Sequence, residues 1–244
     1  VCGDAISFVM MLLFYLTDRG RHPGNGKNDL RLTSRMLRIA LPLAFSAYAR
    51  SALSTLEHLL VPRGLKSAGF SADRALSGYG TIQGMVMPII SFPACFLMAL
   101  SELMIPELTE AQMRGESAEI SHTVRSLLKK GSGYSLAVAL AIFIFADRLG
   151  IAVYSSPEAG HFLRLLAPLI PIMYTDMLCD GCLKGLGQQM WNMGINVLDA
   201  LLGVLLVWRV LPVYALTGYI CIIYFNECLN FALSMLRLGK VIRS

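Results

Sequence analysis

Apolar residues in this chain come in long, nearly unbroken runs, and the charges are gathered between those runs. A soluble domain of 244 residues can hide a large core, but it also needs a charged surface spread along every element. Here charged residues make up only 15% of the chain, against about 25% in ordinary soluble domains, and the mean hydropathy is +0.60. Runs stand out at about 1–17, 36–61, 77–103, 131–154, 160–184, 190–209 and 212–236. Most reach the roughly 20 residues that a helix needs to cross about 30 Å of hydrocarbon. They are too long for strands, and period-2 alternation is absent. The expected fold class is all-α, a polytopic membrane protein with one truncated helix and a six-helix bundle. The first run opens the chain without Met and without a preceding basic stretch. It is read as a spanning helix cut near its start, not as a signal peptide, so the chain is expected to be a fragment.

Two further patterns fit a bilayer. Trp191 and Trp208 bracket the sixth run, and the helical rise between them is roughly 25 Å, close to the separation of the two interfacial belts. Basic residues are also distributed unevenly. With residues 18–38 placed inside and each run crossing once, fourteen of the 21 Lys and Arg fall inside, six fall outside, and Arg50 lies within a run. This bias orients the chain in a cell membrane with the linker on the cytoplasmic side.

The stretch 18–35 is polar and rich in Gly, which marks a flexible connection. Within 107–130, Ile120, Val124 and Leu127 recur at i, i+4 and i+7 beside Arg125, Lys129 and Lys130. This reads either as an amphipathic helix lying on the cytoplasmic face or as a solvated connecting helix. Gly80 and Gly84 form a small-x-x-x-small pair suited to close helix approach. Pro42, Pro88, Pro93, Pro168 and Pro171 are placed to bend helices. Cys179 and Cys182 form a C-x-x-C with no second ligand pair in the sequence, so all six cysteines are read as packing residues. No basic stripe with interleaved aromatics points to nucleic acid. No Walker-type loop or nucleophile constellation is present, so neither an enzyme nor a cofactor or metal requirement is expected.

Four blocks are more specific. The first runs from Leu41-Pro42-Leu43 through Arg50-Ser51-Ala52-Leu53-Ser54-Thr55-Leu56-Glu57-His58 to Val61-Pro62-Arg63-Gly64-Leu65. The second is Ala75-Leu76-Ser77-Gly78-Tyr79-Gly80-Thr81-Ile82-Gln83-Gly84-Met85, continuing to Phe92-Pro93. The third is Ala99-Leu100-Ser101-Glu102-Leu103-Met104-Ile105-Pro106, followed by Thr109-Glu110-Ala111, and the fourth is Asp180-Gly181-Cys182-Leu183-Lys184-Gly185-Leu186-Gly187-Gln188-Gln189. In this order they resemble the second lobe of the stage V sporulation protein B-like flippases. Those belong to the multidrug/oligosaccharidyl-lipid/polysaccharide exporter superfamily, with its MATE-like fold. The resemblance implies two six-helix lobes facing across a cavity in a bacterial inner membrane. Residues 1–35 would then be the last helix of a first lobe with the interlobe linker, and 36–244 a complete second lobe. It also implies alternating-access movement of lipid-linked oligosaccharides or peptidoglycan precursors such as those of the spore cortex. The partners would be that lipid-linked saccharide, membrane lipids and the N-terminal lobe of the same protein. A cation-coupled multidrug exporter and a non-transporting scaffold for envelope synthesis are the other readings.

Polar groups at membrane depth are costly and so mark candidate sites. Ser46, Arg50, Ser54 and Glu57 follow i, i+4, i+8 and i+11, sharing one helix face. Asn226, Glu227 and Asn230 stand at similar depth in the last run. These seven are the candidate substrate-binding residues, with Arg50 placed to meet a pyrophosphate. The alternative is an internal Arg50–Glu227 ion pair locking two helices. Asp176, Asp180 and Lys184 recur at i, i+4 and i+8, and Asn192, Asn196 and Asp199 at i, i+4 and i+7. Asp176, Asp180, Asn196 and Asp199 are candidates for coupling to a proton or sodium ion, or else bind neighbouring helices.

Overall fold

The computed structural model describes residues 2–21, 30–69 and 71–243, and contains helices and no strand among them. The helices are α1 (Cys2–Arg21), α2 (Leu30–Ser67), α3 (Ala72–Thr81), α4 (Met87–Arg114), α5 (Ser117–Tyr154), α6 (Pro157–Leu166), α7 (Ile170–Gly185) and α8 (Gln189–Arg243). A π-turn, Ile82–Val86, joins α3 to α4, and a 3₁₀ turn, Ala167–Leu169, joins α6 to α7. By packing, the chain divides into Val1–Pro42 and Leu43–Ser244. Residues 22–29, the middle of the expected linker, lie outside the described residues. In the first unit the apolar part of α1 is Ala5–Thr17, about 20 Å long and short of a full crossing.

Four stretches of the second unit are long and apolar enough to cross a membrane: Leu76–Arg114, Ser117–Tyr154, Pro157–Gly185 and Gln189–Ile242. α2 has the length but not the apolarity, because Arg50, Glu57, His58 and Arg63 interrupt it. The 55 residues of α8 would span roughly 80 Å if straight, far more than one bilayer. Ala215 breaks it, with φ 53 and ψ −136. A Cβ built on Gly203 would stand 2.9 Å from the side-chain nitrogen of Asn226, so residues 189–214 and 216–243 form an antiparallel hairpin. Its open end is clamped by Arg237, whose Nε and Nη2 donate to Gln188 Oε1 at 3.1 and 2.6 Å. The Arg237 guanidinium also lies 4.8 Å from the Trp191 ring centroid.

α7 is the inner helix. It packs against α4, α5 and α8, and Leu178, Cys179, Cys182 and Leu183 are fully buried in it. Cys179 and Cys182 are thus packing residues and are not bridged, whereas Cys95, Cys221 and Cys228 are exposed. The outer helices invert the soluble pattern: Leu136, Leu140 and Ile144 of α5 face outward at 54%, 54% and 66% exposure. Such faces are stable only against an apolar surrounding.

Prolines account for most of the irregular turns. Pro88 has no N–H for the carbonyl four residues back, and the wide π-turn stands there. Pro168 lies within the 3₁₀ turn, and Pro171 follows it in the first turn of α7. Around Pro93, inside α4, Tyr174 donates to the Ile90 carbonyl and Tyr134 to the Pro93 carbonyl at 3.1 Å. The buried Tyr174 and half-buried Tyr134 hydroxyls therefore bond α4 carbonyls next to the proline.

Two expectations are corrected. Residues 107–130 are not a separate surface helix. They complete α4 and begin α5, separated by a tight turn in which Gly115 takes φ 74 and the Glu116 N–H bonds the Ala111 carbonyl at 3.1 Å. Ile120, Val124 and Leu127 pack into the protein core, not onto lipid. The Gly80/Gly84 pair also makes no close approach, since a Cβ on either would meet nothing within 4 Å. Close approach occurs at Gly150, where a Cβ would stand 2.5 Å from the Gly160 nitrogen, bringing the backbones of α5 and α6 together. The period of small residues was visible at both places, but only the partner helix decides which pair is used.

Ala215 holds a backbone conformation that suits glycine far better than an L-residue. Ala215→Gly is expected to stabilise the protein by about 1 kcal/mol. That would be read as a rise of roughly 2–4 °C in detergent melting, and a lower melting point would contradict it.

Candidate functional site

The polar face of α2 turns toward the α8 hairpin and α7. Ser46, Arg50 and Ser54 line a cleft of about 380 Å³ whose opposite wall is Met193, Asn196 and Val197. Arg50 and Asn196 also border a second cleft of about 290 Å³, which reaches Asp176, Asp180, Glu227 and Asn230. The sequence separated these residues into a binding group and an ion group. The structure brings members of both into one place.

The local packing explains how. Asp176 and Asp180 are one turn apart on α7, and Asp176 is only 6% exposed. Asn230, on the second arm of α8, donates from Nδ2 to Asp176 Oδ2 at 3.0 Å. Asn196 donates to the Asn192 carbonyl and side-chain oxygen at 2.9 and 3.0 Å. Gly203 leaves room for Glu57 Oε2 and Asn226 Nδ2, which would lie 3.3 and 2.9 Å from a Cβ placed there.

Charge is unevenly distributed in this cluster. Asp176, Asp180, Asp199 and Glu227 act on one another electrostatically, and Glu57 joins through Asp199. Arg50 is the cation felt by Asp180, Asp199 and Glu227, with Lys184 adding to Asp180. Arg50 makes no direct ion pair with Glu227; among the described residues the ion pairs are Arg114–Glu110 and Arg164–Asp147. One carboxylate oxygen each of Asp176, Asp180 and Asp199, and the side-chain oxygens of Asn226 and Asn230, are buried without a protein hydrogen bond, and Ser234 interacts with Asp176 and Asp180. A buried site with more acceptors than donors is completed by a proton, a cation or water.

Several residues of the site were missed in the sequence. His58 Nδ1 hydrogen-bonds the Tyr79 hydroxyl, and its Nε2 lies 3.4 Å from Ser54 Oγ. The Tyr79 ring stands edge-on to Tyr219 at 5.6 Å, and Gln83 donates to the Tyr219 hydroxyl at 2.7 Å. Tyr79 and Gln83 are spaced i, i+4, a signal available in the sequence. Ser234 continues the face of Glu227 and Asn230 by one more turn.

The family comparison covers α3 through the first arm of α8, which carry Asp176, Asp180, Asn196 and Asp199, and leaves the polar face of α2 and the second arm of α8 outside it. A model of the MatE family matches residues 67–208, more than half of the chain. The chain belongs to the MatE family. It is 26% identical over 190 residues to sporulation protein YkvU of Bacillus subtilis (strain 168), covering 77% of this chain and 43% of that protein. It is 22% identical over 182 residues to stage V sporulation protein B of the same organism, covering 73% of this chain and 34% of that protein. The chain thus spans less than half the length of these relatives. No solved structure matches it. Family and apolar helices together make it a multi-pass membrane protein.

The Asn230–Asp176 bond gives a test of the packing. Asn230→Leu leaves a buried carboxylate without its donor and is expected to cost about 1–3 kcal/mol. Adding Asp176→Leu removes both partners and should recover most of that loss in a detergent melting series. A double variant as unstable as the sum of the two singles would contradict the assignment.

Proposed function

We propose that this chain forms one lobe of a flippase that carries a lipid-linked oligosaccharide or peptidoglycan precursor across the bacterial inner membrane by alternating access. The observation that supports it best is Arg50, a cation on the open side of a polar cleft and without a direct ion pair. A guanidinium there offers paired donors to a pyrophosphate, while the polyprenyl tail stays in lipid between helices. Ser46 and Ser54 on one side and Asn230 on the other add hydrogen bonds around the head, Glu227 borders the deeper cleft, and Glu57 and Asn226 stand beside it against Gly203.

On this reading a first lobe of the same protein supplies the facing wall, and rocking of the two lobes opens the cleft to each side in turn. The carboxylates Asp176, Asp180 and Asp199, with Asn196, lie behind Arg50 and couple the motion to a proton or sodium ion. When that ion is absent, the acidic group attracts Arg50 inward; when it is bound, Arg50 is freer to hold phosphate. The relatives' names associate them with sporulation, which makes spore-envelope precursors the first substrates to try. A cation-coupled drug exporter is the second reading, favoured by the surplus of carboxylates. It gives Arg50 no anionic group to bind.

The test is transport of a fluorescent lipid-linked pyrophosphate by the full protein in vesicles. Arg50→Gln is expected to slow it by about 10- to 100-fold, the loss of one charge-assisted contact worth about 1.5–3 kcal/mol. Arg50→Lys should retain an intermediate rate. Unchanged transport in Arg50→Gln, or equal export of cationic drugs by both variants with no pyrophosphate transport, would sink the flippase reading.

A further inference from the structure

The outer face of α5 carries a second pattern, separate from the central cleft. Ile120, Val124, Leu127, Ala139 and Ile142 bury one side of this helix. On the opposite side stand His122, Arg125 and Lys129, followed by Gly133 and then Leu136 and Leu140. At about 100° per residue these six lie within roughly 60° of one direction. Phe143 and Ile144, 44% and 66% exposed, extend the same stripe.

Depth can be read along it. Lys129 and Asp147 share this side and are separated by roughly 27 Å of helix, close to the hydrocarbon thickness. At the Asp147 end the charges are matched: Arg164 Nη2 donates to Asp147 Oδ2 at 2.6 Å and lies 5.9 Å from the Phe143 ring centroid. At the other end they are not. Arg125 and Lys129 are exposed and make no ion pair or hydrogen bond among the described residues. Around these cations lies a shallow groove of about 540 Å³, lined also by His122, Ser121 and Ser126. Below it, a Cβ at Gly133 would touch nothing within 4 Å, which leaves a notch between the cations and the apolar stripe.

We infer that this face holds an anionic phospholipid of the adjacent leaflet, its phosphate between Arg125 and Lys129 and an acyl chain along Leu136, Leu140 and Ile144. Only an amphiphile matches both halves of the stripe. A soluble anion would use the cations and leave the apolar part, and an apolar helix would strand the cations. An anionic headgroup supplies the missing countercharge at an interface where basic side chains already reach toward phosphate. The site lies on the side of α5 opposite its buried face, so it stands or falls independently of the transport reading.

The test is native mass spectrometry of the full protein released from mixed micelles holding equimolar phosphatidylglycerol and phosphatidylcholine. The wild type is expected to retain phosphatidylglycerol about tenfold or more over phosphatidylcholine, since each basic residue near the surface contributes roughly fivefold. R125Q/K129Q should fall to about twofold or less, whereas R125K/K129R keeps the preference and shows that the fold is intact. R63Q/K66Q removes the same charge at the end of α2 and should change nothing. Equal retention of both lipids by the wild type would overturn the inference. So would a preference that survives R125Q/K129Q, or a stronger hold on a lipid-linked pyrophosphate at the same residues.

Discussion

The arrangement depends on the cost of placing charge at membrane depth. An unpaired carboxylate or guanidinium facing acyl chains costs several kcal/mol, with the size set by how far water and the bilayer adjust. Arg50, Asp176, Asp180, Asp199 and Glu227 cannot each meet that cost alone. Gathering them between α2, α7 and the α8 hairpin lets one cation, several amides and a cleft share it. The helix faces follow from this: polar toward one another, apolar toward the outside.

The backbone serves the same end. α7 carries two of the carboxylates and is also the most enclosed helix, so its ends must be tightly set. Pro168 and Pro171 set its start, and Gly187, at φ 68, closes its end with the Gln188 N–H on the Leu183 carbonyl at 2.8 Å. The α8 hairpin then returns Asn226, Glu227 and Asn230 to the depth of Asn196, Asp199 and Gly203. A strained turn at Ala215 and the Arg237 clamp at the open end hold the two arms in that register.

Much of this was legible in the sequence because membrane constraints act on composition directly. Run lengths gave the helices, and i, i+4 spacing gave the polar face of α2. The two runs at 190–209 and 212–236 correspond to the two arms of α8, although the break at Ala215 falls a few residues inside the second run. What was not legible depended on partners. Nothing local in Gly80–Gly84 differs from Gly150, yet only Gly150 meets another backbone. The His58–Tyr79 and Gln83–Tyr219 bonds join residues far apart in the chain, and no spacing rule connects them. Ile120, Val124 and Leu127 gave the right amphipathic period, but period alone does not tell protein core from lipid. The merging of the two polar groups into one site likewise required the fold of α8 back along α2 and α7.

The most direct measurement is the environment of spin labels placed singly at Arg50, Asn196, Glu227 and Asn230 in the full protein in bilayers. A shared polar interior requires these labels to collide with a water-soluble nickel complex more readily than a label at Leu140, and with oxygen less readily. Labels at those four positions that behave like the one at Leu140, rich in oxygen and shielded from nickel, would place the charged side chains in lipid and contradict the account.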